Sequence, residues 1–227
     1  MRTGTTDADF LLGPVAQSEF VTCRIREDGA SYNPAMSLPQ SPPARTKTLY
    51  HEAAHAVLGL YYGVRCDCIR LKRVVNEFGE TEGAAVRLTD WPTNIPKEDC
   101  AAVQYAGYAI QRLLGDDPTE ALKNSDRDRL DFREMLKDWW GVKEEDMEAT
   151  AVSLFRIASL KAKSMLEDSR FQSALIELGN ALVIADDNGE DYFAFPRITD
   201  IVSEHLSLRQ SVLTPPVGDP CAESLQS

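Results

Sequence analysis

The stretch Tyr-His-Glu-Ala-Ala-His-Ala (YHEAAHA, residues 50–56) is the most informative part of the sequence. It lies inside an apolar pattern of helical period that we expect to form a helix over residues 46–62. Gly63 follows at the position that favours a left-handed residue, so the pattern also predicts where this helix ends. The fold is therefore expected to be built around a helix that carries two histidines.

The two histidines of this stretch have the spacing of metal ligands. Residues four apart lie one turn apart on the same helix face, so the imidazoles of His51 and His55 can bind one ion. Glu52 would face the open side of that ion, where it can take a proton from an activated water. Neutral histidine ligands with an adjacent carboxylate predict a hydrolytic zinc site with Glu52 as its catalytic residue.

A catalytic zinc site needs a third protein ligand, and the spacing of the residues does not choose one. The chain has only three histidines, and we interpret the remaining one, His205, as a surface or cap residue. A carboxylate is the alternative, and a thermolysin-like site would take Glu120 from a following helix. The candidate carboxylates are Asp116, Asp117, Glu120, Asp126 and Asp128.

The remaining periodicities predict a mainly α fold with a small β-sheet, an α+β class. Residues 67–75 alternate with period two, with Ile69 and Leu71 on one face, and Ala84–Thr89 forms a second short strand. Asn124 or Ser125 is placed to cap one of the later helices. Helices are predicted over residues 98–114, 125–140, 143–168, 170–185 and 196–206.

Composition indicates one domain flanked by two tails. Residues 1–46 are rich in proline and polar residues and are expected to form a flexible arm, residues 47–206 the domain, and residues 207–227 a disordered tail. A hydrophobic fraction of 43% is enough for a core in a chain of 227 residues. The formal net charge of -12 argues against a nucleic-acid partner, because such partners are bound by clustered Lys and Arg.

The cysteines and the termini predict a cytoplasmic protein. Five scattered cysteines are an odd number and do not suggest a disulfide framework. Cys66 and Cys68 have no second cysteine pair, so we interpret them as ordinary strand residues. Neither a secretory signal nor an apolar run of about 18 residues is visible, so no membrane span is expected.

The resemblance to a known family rests on several segments in one order. YHEAAHAVLGL resembles the YHEAGHALVG helix of the FtsH family of membrane AAA+ zinc proteases, and CDCIRLKR and GAAVRLT resemble the two strands that follow it. YAGYAIQRLLG (residues 105–115) is similar to that family's LAGRAAEELVFG helix, and NSDRDR (residues 124–129) to its SNDLERA segment. ALIELGNALV loosely matches its C-terminal helical bundle. The match covers about residues 47–206.

This resemblance implies the fold and activity of the FtsH protease domain. It gives His51 and His55 as zinc ligands, Glu52 as general base and Asp126 as the third ligand, with Asp128 as the nearest competitor. The implied function is a zinc-dependent metalloendopeptidase that hydrolyses peptide bonds by a metal-activated water.

Departures from the family pattern leave a second function open. The family's acidic pair is Gln111 and Arg112 here, its arginine is Tyr108, and its TTGA loop is TEALK (residues 119–123). The sequence contains neither GxxxxGK[ST] nor a membrane anchor, so the expected activity is ATP-independent in this chain. Expected partners are flexible peptides and a separate ATPase or a second copy. The alternative is a non-catalytic FtsH-like adaptor or inhibitor.

Overall fold

The helix that carries the YHEAAHA stretch, α1 (Ala44–Tyr62), lies at the centre of the fold. The computed structural model describes residues 37–72, 74–75 and 81–214, and the chain divides into two units, Met1–Ser37 and Leu38–Ser227. All helices and strands of the described residues belong to the second unit. Every α1 residue from Leu49 to Leu60 except Glu52 is buried, as expected for a helix that other elements surround. The helix ends at Gly63 with a φ of 88°, as the sequence predicts.

A small antiparallel sheet lies beside α1. It contains β4 (Ala85–Thr89), β1 (Arg65–Arg70) and β5 (Tyr192–Ala194) in that order, so β4 is an edge strand. Two short strands, β2 (Val74–Val75) and β3 (Thr81–Glu82), pair separately. Because the sheet closes over one side of α1, its free edge borders the surface of this helix.

Helices cover the other sides of α1. α3 and α7 make the most extensive contacts with it, while α6 packs across α2 and α3 and α8 packs on α7. In chain order these helices are α2 (Lys97–Gln104), α3 (Ala106–Leu113), α4 (Pro118–Asn124), α5 (Asp126–Trp140), α6 (Glu144–Glu167), α7 (Ser169–Asp187) and α8 (Phe195–His205).

The predicted class, mainly α with a small sheet, is confirmed. Strand β4 and helices α5 to α8 lie within two residues of their predicted bounds. The predicted alternation is present only from Ile69 to Lys72, where Ile69 and Leu71 are buried and Lys72 is exposed, because the residues from Cys66 to Ile69 are all buried. The strand itself is shorter than expected, since β1 ends at Arg70 and β2 is a separate element.

Three predictions for the middle of the chain are wrong. The single helix expected over residues 98–114 is interrupted at Tyr105. Helix α4 was not predicted, although Asp117 caps it by accepting hydrogen bonds from the backbone N–H groups of Thr119 and Glu120. Ser125 makes no capping hydrogen bond to α5 through its side chain, because α4 leads directly into that helix.

The domain is longer at both ends than the predicted range 47–206. Helix α1 begins at Ala44, and Pro42 before it is buried. Beyond α8, a short 3-10 helix (Gln210–Val212) buries Val212 in the core, so the predicted tail does not begin at residue 207. The rest of the predicted arm and tail, residues 1–36 and 215–227, lies outside the described residues. Within the described ranges, no helix is long and apolar enough to cross a membrane.

Candidate metal centre

The structure brings both histidines of α1 against one carboxylate. His51 Nε2 lies 3.0 Å from Asp128 Oδ2, and His55 Nε2 lies 3.5 Å from the same oxygen. The imidazole centroids are 4.7 Å apart. One ligand atom from each of the three residues lies within 4.8 Å of the others. At this separation a single metal ion between the three atoms could bind them all.

The prediction that Asp126 converges on the histidines is wrong, because it lies on the opposite side of α5. Each helical residue is turned by about 100°, so Asp126 and Asp128 point about 200° apart. Phe132 is four residues after Asp128 on the buried face of the helix. Asp126 is instead exposed and pairs with Arg129 at 2.9 Å. The resemblance therefore pointed to the helix whose carboxylate meets the histidines, but to a different residue of that helix.

Gly107 on α3 makes room for the ring of His51. A Cβ atom at this position would lie 2.2 Å from both Cε1 and Nε2 of His51, which is far inside van der Waals contact. His51 is 5% exposed, so its ring has little free space into which it could move. The glycine thus allows α3 to cover the imidazole closely and to fix its position.

His55 is held by a backbone carbonyl on α2. Its Nδ1 lies 2.7 Å from the carbonyl oxygen of Val103, so Nδ1 carries a proton and the neutral ring would present the lone pair of Nε2 to the centre. This Nε2 is buried and has no hydrogen-bond partner in the described part of the chain. The helix is interrupted two residues later at Tyr105, as is common where a side chain intrudes on the helical ladder.

Glu52 connects the centre to the sheet edge. The backbone N–H of Val86 on β4 donates a hydrogen bond of 2.8 Å to Glu52 Oε2. Although the Glu52 side chain is only partly buried, desolvation in the cleft raises its pKa above the ordinary value, an effect that His51 and His55 partly offset. A carboxylate with a raised pKa is better suited to accept a proton and pass it on than an exposed one.

The electrostatics of the three residues favour a positive charge between them. Burial lowers the pKa of His55, but the nearby charge of Asp128 outweighs it and raises this pKa to about 9. Burial likewise opposes ionisation of Asp128, yet the charge of His55 and the hydrogen bond from His51 hold its pKa well below the usual range. Protons on the imidazoles can supply that charge, and so can a divalent cation.

The centre lies in a cleft of about 1250 Å³. Its lining includes His51, Glu52, His55 and Asp128 together with residues 83–86 along the sheet edge. This volume exceeds the range of about 300–1,000 Å³ that is usual for small-molecule sites, so several residues of an extended chain would fit.

The other predicted candidates lie away from the two histidines. Glu120 is an exposed residue of the cleft lining and is not among the groups that converge. Asp116 pairs with Lys47, and Asp117 caps α4. His205 lies 2.6 Å from Glu177, and these two residues and Glu204 form a separate acidic cluster.

The three departures from the family pattern do not lie together. Gln111, one turn after Gly107, is buried and lines the cleft. Tyr108 packs its ring against Phe155, and Arg112 donates a hydrogen bond to the carbonyl of Asp116. Of these three, only the change to glutamine therefore reaches the cleft, which Glu120 of the altered TEALK segment also lines.

The residues at the centre fit a zinc ion. Two imidazoles and one carboxylate are an ordinary donor set for a catalytic zinc site. The lone pair of His55 Nε2 is buried without a hydrogen bond, which is costly unless an ion or another donor satisfies it. The Val103 carbonyl fixes the ring of His55 in the manner of a second partner behind a ligating histidine.

Comparison with protein-family models and with curated proteins finds no match to this chain.

Proposed function

We propose that this protein is a zinc-dependent metalloendopeptidase. The observation that carries the proposal is the convergence of His51, His55 and Asp128 in an open cleft, with Glu52 directly beside them. If the carboxylate of Asp128 only bridged the two histidines, neither the open cleft nor the adjacent Glu52 would have a purpose. Peptide-bond hydrolysis uses this combination of a ligand set, a base and an extended groove.

Each residue has a distinct role in this proposal. His51, His55 and Asp128 would hold the zinc ion, with His55 oriented by Val103. When bound, zinc supplies a Lewis acid that activates water and polarises the scissile carbonyl. Glu52 accepts the proton of the attacking water and passes it to the leaving amine.

The edge of β4 supports an extended peptide as substrate. The Val86 N–H points to Glu52, away from the pairing partner β1, so the free edge of the strand faces the cleft. An extended peptide can add to such an edge through main-chain hydrogen bonds. Because pairing needs an unfolded segment, we expect flexible peptides or disordered segments as substrates, unless a separate ATPase or a second copy delivers others.

Two observations support an FtsH-like origin for the domain. Gly107, the glycine of the segment that resembles the family's LAGRAAEELVFG helix, contacts a proposed ligand directly. Asp128, in the segment that resembles SNDLERA, reaches the histidines. We therefore propose that the chain is an FtsH-family protease domain without an AAA+ module in the printed sequence.

Replacing the base tests this function. Glu52→Gln should keep the fold and one zinc per chain but lower kcat for peptide hydrolysis by about 100-fold or more, because no carboxylate remains to accept the proton. The measurement is zinc-dependent cleavage of a fluorogenic peptide library. Glu120→Gln, a matched change at the cleft rim, should leave the rate within about twofold. Equal rates for Glu52→Gln and the wild type would refute the proposed role.

The non-catalytic alternative rests on Gln111. This glutamine lines the cleft where the resemblance expects an acid, and its buried Oε1 has no hydrogen-bond partner within the described ranges. Loss of an acid beside a zinc ligand lowers metal affinity by about 10 to 100-fold in other sites. An adaptor or inhibitor would bind peptides but cleave none of the library even when loaded with zinc.

A further inference from the structure

The cleft has two chemically different ends. At one end, Lys47 pairs with the buried carboxylate of Asp116, and Glu120 lies nearby on the rim. Towards the other end, beyond His55, the lining contains the apolar side chains of Leu88 and Trp91 together with the polar residues Gln104 and Asp131. A peptide that fills the cleft would therefore meet the large apolar side chains of Leu88 and Trp91 on one side of the metal centre only.

Three contacts fix how β4 runs along α1. A Cβ at Gly83, just before the strand, would lie 3.2 Å from Thr48, one turn before Glu52. Further along, the Val86 N–H bonds to Glu52, and Leu88 packs on Gly59. The strand thus runs in the same direction as the helix, and Leu88 is two residues, or about 6.6 Å, beyond the level of Glu52.

The backbone turns sharply between Leu88 and Trp91. Asp90 has a φ of 49°, one of two left-handed non-glycine residues in the described part of the chain. Its carboxylate lies 2.8 Å from Arg65 on β1, so an ion pair secures the turn. A conformation that is uncommon for aspartate is thus held at the end of the edge strand, immediately before a large apolar side chain.

Trp91 belongs to a small aromatic surface. Its ring meets that of Trp139 on α5 edge to face at 5.7 Å, and Trp139 is 47% exposed. Trp91 itself is only partly buried although it packs against the core. This surface, formed by Leu88, Trp91 and Trp139, continues from the cleft and leaves aromatic area exposed to water.

We propose that Leu88 and Trp91 form a specificity subsite for a bulky apolar side chain, aromatic by preference, of the peptide substrate. The inference rests on the proposed peptidase function and adds a substrate preference to it. A substrate strand on the edge of β4 advances about 3.3 Å per residue, so this subsite takes the side chain two or three residues from the cleaved bond. The preference is confined to one side of that bond because the opposite end of the cleft is polar.

The test compares peptides that differ at one position. A fluorogenic series with Phe, Leu, Ala or Glu two or three residues from the cleaved bond is assayed with zinc-loaded protein. The Phe peptide should have a kcat/KM about tenfold or more above the Ala peptide, the scale expected for burying one aromatic side chain. Trp91→Ala should reduce this ratio to about one while cleavage of the Ala peptide changes less than threefold.

Two further variants separate specificity from folding. Trp91→Phe should keep most of the preference, and Tyr61→Ala, which removes an exposed aromatic ring outside the cleft, should keep all of it. A merely structural role for Trp91 would lower kcat/KM for both peptides together and leave their ratio unchanged. That result, or a wild-type ratio near one, would overturn the proposal.

Binding distinguishes failure of this subsite from failure of the peptidase function. Zinc-loaded Glu52→Gln protein should bind the Phe peptide about tenfold more tightly than the Ala peptide, and the double variant Glu52→Gln, Trp91→Ala should bind both equally. One outcome is that the wild type cleaves no peptide while the Glu52→Gln variant still binds the Phe peptide more tightly than the Ala peptide. That outcome supports the subsite and contradicts the peptidase function. Equal binding of the Phe and Ala peptides to the Glu52→Gln variant would contradict the subsite, whatever the cleavage assay shows.

Discussion

At the residue scale, the position of His51 depends on the absence of a side chain at Gly107. The two residues lie on different helices, and a methyl group on the glycine would overlap the imidazole. Ligand orientation is sensitive to such contacts, because a ring that turns by a small angle moves its lone pair off the ion. Gly107 is therefore a positioning residue for the centre.

Gly107→Ala tests this contact. The 2.2 Å approach must be relieved by a shift of α3 or of His51, so we expect zinc affinity to fall by about tenfold or more. Competition with a chelator measures the affinity, and thermal unfolding measures the fold. Gly59→Ala is the matched control, since its Cβ would meet the flexible Leu88 side chain at 3.2 Å and Val103 at an ordinary contact distance of 3.7 Å. Unchanged zinc affinity in Gly107→Ala would contradict a positioning role.

The third ligand shows how much of the site could be predicted from the sequence. Spacing on one helix is enough to place His51 and His55 together, because it depends only on the helical period. The carboxylate comes from another helix, so its identity depends on which face of α5 is buried. Phe132 and Leu136, four and eight residues after Asp128, indicate that face. The apolar period of α5 is thus a signal for Asp128 that the prediction of Asp126, made from a short motif match, did not use.

At the element scale, long helices with strong apolar periods were predictable and short or interrupted ones were not. Helices α6 and α7 lie close to their expected bounds. The helix breaks at Tyr105, and no glycine or proline at that residue predicts the break. The break coincides with the contact between His55 and the Val103 carbonyl, which is a tertiary interaction. Strand β5 has three residues and exists because β1 offers it a partner. Helix α4, by contrast, had a readable signal in Asp117 followed by proline.

The contact between α1 and α7 gives a test at this scale. A Cβ at Gly179 would lie 2.7 Å from the ring of Tyr50, which is 1% exposed and donates a hydrogen bond to Asn180. Overpacking costs about 1–3 kcal/mol, whereas alanine regains about 1 kcal/mol of helix propensity. Gly179→Ala should therefore lower the free energy of unfolding by up to about 2 kcal/mol, measured by urea denaturation.

A second variant at the same contact serves as a control for Gly179→Ala. Asn180→Ala removes the hydrogen-bond acceptor of Tyr50 without adding volume, and we expect a loss of about 1 kcal/mol. Stabilisation of the protein by Gly179→Ala would show that the two helices are not packed as closely as the contact between Tyr50 and Gly179 implies.

At the scale of the whole molecule, the cleft and the strand edge beside it follow from the fold and could not be predicted from the composition. The net charge of -12 and the single helix motif predict neither the cleft nor the strand edge that borders it. Both arise from the packing of β4 and α3 against α1 and from α5, which brings Asp128 to the two histidines. A cytoplasmic location, a separate ATPase and self-association stay predictions, as does the flexibility of residues 1–36.

Zinc content of the purified protein and its variants tests the central claim most directly. The wild type should hold about one zinc per chain, and His51→Ala, His55→Ala and Asp128→Ala should each lose most of it at low free zinc. Asp126→Ala, two residues away on the same helix, should retain it because that carboxylate faces solvent and Arg129. Full zinc occupancy in Asp128→Ala, or its loss in Asp126→Ala, would contradict the assignment of the centre.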